Sequence, residues 1–103
     1  MKEIRRTDVF KQYMKNLKDA TGKAHIDRRV NRLRQGNAGD CRPIGDGLSE
    51  MRIHYGPGYR VYFDDAGPEI IILLCAGDKS TQQADIERAK KLVKEEKKQD
   101  ESK

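Results

Sequence analysis

The stretch RIHYGPGYRVYF, residues 52–63, decides how this chain is read. Two short runs alternate cationic or hydrogen-bonding residues with apolar ones, and Gly56-Pro57-Gly58 stands between them. Period-two alternation on either side of a glycine-rich break predicts an antiparallel hairpin. A three-residue loop over 56–58 sets Tyr55 opposite Tyr59, His54 opposite Arg60, Ile53 opposite Val61, Arg52 opposite Tyr62 and Met51 opposite Phe63. Side chains alternate between faces along a strand, so Met51, Ile53, Val61 and Phe63 share the face that packs beneath a helix. Arg52, His54, Arg60 and Tyr62 share the other, a polar cluster in which opposed Cβ atoms lie ~5 Å apart. Glu50 and Asp64 continue that face, too far along to reach His54 and Arg60.

Outward from the hairpin, the pattern changes on both sides. VFKQYMKNL spaces Val9, Phe10, Tyr13, Met14 and Leu17 helically, with Thr7 or Asp8 as N-cap. A second helical pattern follows DATGK, with Ile26, Val30 and Leu33 on one stripe, Arg28, Arg29, Arg32 and Arg34 on the other face, and Gly36 as its C′ residue. CRPI reads as a short edge strand, because Pro43 has no N–H to donate. The run IIILLCA is apolar throughout, as in a strand covered on both faces. Helical periodicity restarts through Ile86, Ala89, Leu92 and Val93, after a capping box between Ser80 and Gln83. The expected fold is α+β: two N-terminal helices, a small antiparallel sheet of three to four strands, and a C-terminal helix, with one helical layer on the sheet.

At 103 residues the chain suits one domain, expected over 1–96, with a charged, frayed tail over 97–103. Hydrophobic residues are 35% and charged residues 38%, so the core must be thin. The longest apolar run, IIILLCA, falls well short of the ~20 residues that span a membrane. MKEIRRTD has no apolar stretch behind its basic residues, so no signal peptide is expected. Cys41 and Cys75 are then expected as reduced thiols in a cytoplasmic protein. A net charge of +5 and a pI near 9.3 favour polyanionic partners, a nucleic acid or an acidic protein.

The side chains on offer narrow the chemistry. Neither the cysteines nor the two histidines, His25 and His54, have the spacing of a zinc site, and no glycine-rich nucleotide fingerprint occurs, so no metal or cofactor is expected. Arginine, lysine, histidine and tyrosine remain. That set fits cleavage of RNA, which carries its own nucleophile in the 2′-hydroxyl. Arginines stabilise charge growing on phosphorus, and histidine, which titrates near neutrality, moves a proton. Lys79, between the apolar strand and the last helix, joins Arg52, His54 and Arg60 as a catalytic candidate, with a lysine or tyrosine serving the second proton transfer. Tyr62, Gln82, Arg28 and Arg32 are the candidate RNA-binding residues.

GLSEMRIHYGPGYRVYF followed by ILLCAGDKSTQQADIERA resembles the RelE/ParE toxin superfamily, and is most similar to its HigB-like branch of "addiction module killer" proteins. The resemblance spans nearly the whole chain from DVFKQYMKNLKD onward. It implies the toxin of a type II toxin–antitoxin module, neutralised by a cognate helix-turn-helix (HigA-like) antitoxin and cutting mRNA on the ribosome without a metal. Arg60 then matches the arginine that contacts the scissile phosphate; Arg52, His54 and Lys79 match basic catalytic positions. The family's C-terminal catalytic tyrosine or histidine has no counterpart here, where Gln82 and Asp85 stand nearby. A ParE-like toxin acting on DNA gyrase, or an attenuated antitoxin-binding component, are therefore the alternatives.

Overall fold

In the computed structural model, which describes residues 1–65 and 67–101, the hairpin is one step in a five-stranded sheet. Side chains of the tail expected over 97–103 lie outside the described residues. In chain order the elements are β1 (Glu3–Arg6), α1 (Asp8–Asn16), α2 (Ala20–Arg34), β2 (Cys41–Gly45), β3 (Leu48–Ile53), β4 (Tyr59–Asp64), β5 (Ile70–Gly77) and α3 (Gln82–Glu101). A single 3₁₀ turn, Lys79–Thr81, leads into α3. The fold is α+β, with sheet order β1-β5-β4-β3-β2.

Two features of the expected layout are corrected. The sheet has five strands rather than three or four, and it is mixed rather than antiparallel, because β1 adds to it in parallel with β5. Its EIRR sequence carries one apolar residue and shows no alternation, which is why periodicity passes over it. Thr7 then joins strand to helix: its hydroxyl donates to the Leu74 carbonyl at 2.5 Å and accepts from the Phe10 N–H at 3.1 Å, the N-cap bond of α1. Helices also cover both faces instead of one. Phe10 of α1 and Ile26, Val30 and Leu33 of α2 pack with Met51, Ile53, Val61 and Phe63, while Ala89 and Val93 of α3 pack with Leu48, Tyr62, Leu74 and Cys75. The apolar run of β5 contributes to both clusters, as its unbroken hydrophobicity requires.

Helix ends follow their capping chemistry. α2 starts earlier than its apolar stripe suggests, because Asp19 accepts from the Gly22 N–H at 3.0 Å and draws ATGK into the first turn. It stops at Gln35, followed by Gly36 at φ +94° in the expected C′ role. The capping box before α3 is formed by Asp78 and Thr81, not by Ser80 and Gln83. No described helix is long and apolar enough to cross a membrane.

The hairpin register differs from the expected one by two residues. Ile53 faces Tyr59, Met51 faces Val61, Arg52 faces Arg60 and Glu50 faces Tyr62, so residues 54–58 form the connection. Tyr59 accounts for the change. Its ring is buried against α2 and its hydroxyl donates to Asp19 at 2.7 Å, which draws Tyr59 into the ladder opposite Ile53. A shift of two preserves every residue's face, so Met51, Ile53, Val61 and Phe63 stay in the core as expected. His54, however, moves one step past the end of β3.

Candidate functional site

On the α3 side of the sheet, β2, β3 and β4 bring Arg42, Glu50, Arg52, Arg60 and Tyr62 onto one surface through the pairs Arg42↔Glu50, Glu50↔Tyr62 and Arg52↔Arg60. Glu50 is its centre. The side chain is fully buried, and Oε1 accepts from Arg42 Nε at 2.8 Å while Oε2 accepts from Gln82 Nε2 at 3.0 Å. Arg60 Nε lies 3.7 Å from Oε2, an ion pair without a hydrogen bond. Burial alone would push the Glu50 carboxyl up. Hydrogen bonding to Arg42 and Gln82 outweighs it and holds the group below the usual carboxylate range, so Glu50 is a charged acceptor inside the protein. The expectation that Glu50 is too distant from Arg60 is thus corrected by the two-residue register change.

Arg60 is itself mostly covered, with 13% of its side chain exposed, and its Nη1 donates to the Gly58 carbonyl at 2.8 Å. Lys79 is exposed and approaches the same glycine: its Cβ is 3.7 Å from the point that a Gly58 β-carbon would occupy. Arg52, directly opposite Arg60, donates from Nη2 to Asp40 Oδ1 at 2.9 Å. The other carboxylate oxygen of Asp40 meets His54 Nε2 in a short contact. Hydrogen bonds from His54 and then Arg52 hold the Asp40 carboxyl below its usual range. An ionised Asp40 accepts, so Nε2 of His54 carries a proton, and in the neutral ring Nδ1 is the free acceptor.

Asp40 comes from the glycine-rich segment before β2, and Arg29 fixes it there. The Arg29 guanidinium reaches through from α2 to donate to the carbonyls of Arg52 at 2.6 Å and Ala38 at 3.2 Å. Gly39, at φ +68°, lets the chain pass this close: a β-carbon there would sit 2.8 Å from Arg29 Nη2. Asp40, Glu50, Arg29 and Arg42 are the site's supporting residues that the sequence reading missed. Only Glu50 carried a signal, its place in the alternating strand.

Of the expected site residues, the fold brings together Arg52, His54, Arg60 and Lys79 around the hairpin end. Tyr62 is different. Its ring is wholly buried under α3, and burial with the neighbouring Glu50 charge pushes its hydroxyl well above the usual tyrosine range. Tyr62 is therefore part of the core rather than a surface for RNA. Gln82 is committed to Glu50. Arg28 and Arg32 are exposed on α2, across the sheet from the Arg52–Arg60 face, so they do not join it. Tyr59 is also held protonated, by burial and by its bond to Asp19. Burial raises the Cys75 thiol to about 12, and both cysteines are free thiols. Among the described residues, the buried side-chain polar atoms without a hydrogen-bond partner are Arg52 Nε, Arg60 Nε and the Tyr62 hydroxyl, all three on this one face.

No family model matches the chain. No solved structure matches it either. A protein of Haemophilus influenzae, described as uncharacterized, is 45% identical over 93 residues, which take in 90% of this chain and 94% of that relative. That span includes most of the hairpin-bearing sheet and its helices, since it leaves out only a tenth of the chain. This chain belongs to the same family as that Haemophilus protein.

Proposed function

We propose that this chain is the toxin of a type II toxin–antitoxin module, a RelE-like member of the HigB branch, and that it is an endoribonuclease cutting mRNA on the ribosome. The observation that carries the reading is the opposed Arg52–Arg60 pair, two guanidinium groups whose buried Nε atoms make no hydrogen bond, beside a histidine oriented by Asp40. Unmatched buried donors of like charge favour an anion, and the planar fork of arginine suits phosphate oxygens.

The steps follow from those groups. The 2′-hydroxyl of the RNA attacks the adjacent phosphorus and passes its proton to Nδ1 of His54. As the O2′–P bond forms, negative charge grows on the phosphoryl oxygens, where Arg52 and Arg60 donate hydrogen bonds. The P–O5′ bond then breaks and O5′ takes a proton from the Lys79 ammonium. The products are a 2′,3′-cyclic phosphate and a 5′-hydroxyl. The buried tyrosines Tyr59 and Tyr62, held protonated, take no part as bases. The reading implies action in the cytoplasm and a cognate helix-turn-helix antitoxin as partner.

Primer extension on mRNA translated with and without the purified protein tests this reading, with the ends analysed chemically. New 5′-hydroxyl ends within codons support it. Inhibited gyrase supercoiling without new RNA ends would replace it by the ParE-like alternative, and growth unaffected by expression without an antitoxin would leave only an antitoxin-binding role.

A further inference from the structure

A second basic surface lies on the opposite side of the molecule from the Arg52–Arg60 face. Two adjoining concavities of about 460 and 310 Å³ run between α2, β1 and α1, and share Arg6 and Asp27. Six cations line them against two acids. Lys2 pairs with Asp65 and Glu3 with Arg5, which leaves Arg6, Lys11, Lys15, Lys23 and Arg34 with no ion pair among the described residues, and Asp27 as the remaining acid. From Lys23 to Arg34 the groove follows α2 for about 16 Å at 1.5 Å per residue.

We infer that this groove binds the sugar-phosphate backbone of RNA, outside the nucleotides at the Arg52–Arg60 site; the choice of RNA rests on the function proposed above. Five unneutralised cations facing one trough repel one another, and a regularly spaced polyanion relieves that repulsion while releasing its own counterions. The lining argues for a backbone over a peptide. Peptide grooves take apolar anchors into open pockets. Here the deepest apolar side chains are sealed, with Phe10 only 2% and Val30 5% exposed, and Ile4 and Met14 are partly exposed but packed on the same core, so the floor offers no open apolar pocket for an anchor.

The test uses the full chain and two fluorescent 2′-O-methyl RNAs, a 4-mer and a 20-mer, which resist cleavage through the 2′-oxygen. Lys11→Gln/Lys15→Gln/Lys23→Gln keeps helix propensity and removes three groove charges. The expected result is at least a ten-fold weaker 20-mer affinity at low salt, a slope of log K against log salt smaller by about two at ~0.7 per phosphate contact, and unchanged 4-mer affinity. A 20-mer affinity and slope equal to wild type overturns the inference. So does a polyglutamate 20-mer that binds the wild-type groove as tightly as the RNA, which would assign the surface to an acidic protein. Arg60→Ala keeps the two readings distinguishable: cleavage at the wild-type rate with an intact salt slope would sink the function proposed above and keep the groove, whereas lost cleavage with an intact slope supports both.

Discussion

Arg52 and Arg60 stand directly across from each other on β3 and β4, each held by a different carboxylate, Asp40 for the first and Glu50 for the second. Like charges opposed on a sheet are unfavourable. The fold answers this by anchoring one edge of each guanidinium from behind, so the pair is held in a fixed orientation without being fully neutralised. Preorganised donors of this kind need no rearrangement when charge develops on a bound phosphate.

Glu50 is expected to be the most sensitive acidic residue for stability. Its carboxylate is fully buried with Arg42, Gln82 and Arg60 around it, so Glu50→Ala should cost about 3 kcal/mol by leaving those donors unmatched. Glu50→Gln keeps the shape and should cost less, about 1–2 kcal/mol. Because the folded pKa is lowered, the stability that Glu50 contributes is present above its unfolded pKa and is lost as pH falls through the folded one. Urea midpoints measured from pH 7 down to pH 3 should therefore drop more steeply for wild type than for Glu50→Gln.

Asp40→Asn tests the orientation of His54. The residue is partly exposed, so thermal stability should hardly change. Cleavage should fall about ten-fold, less than the ~10²-fold loss expected from His54→Ala, since Asp40 acts only indirectly, through the His54 ring it orients and the Arg52 guanidinium it holds. The pH–rate profile of Asp40→Asn should also shift, which a purely structural role would leave in place.

Gly77 is predicted to tolerate no side chain. It lies opposite Arg60 on β5, and a β-carbon would sit 1.9 Å from Asp85 Oδ2 and 2.7 Å from Thr81 Oγ1. Gly77→Ala should lower stability by about 2 kcal/mol through overpacking. Burial raises the Asp85 carboxyl above its usual range, so charged Asp85 opposes folding and the strain it adds should lessen as pH falls. Asp85→Asn, which keeps the shape without the charge, should raise the melting temperature at pH 7.

Much of this arrangement was legible in the residues themselves. An unbroken apolar run announced β5, and period two sorted the hairpin's faces correctly because a register change of two leaves faces intact. The register itself was hidden: it depends on the bond from Tyr59 to Asp19, forty positions away, which no local pattern encodes. The second helical layer was hidden for a related reason, since Tyr62 reads as polar in an alternating strand yet its ring fills the core under α3. Asp40 had no periodic neighbourhood at all, and only the reach of Arg29 from α2 brings it beside His54.

The most direct test is the rate of cleavage of ribosome-bound mRNA by Arg52→Ala and Arg60→Ala, each checked for wild-type circular dichroism. Removing one preorganised donor to the phosphate should lower the rate about 10²–10³-fold for either variant, with the fold retained. Cleavage at the wild-type rate by a folded Arg60→Ala protein would contradict the role given to the opposed arginines.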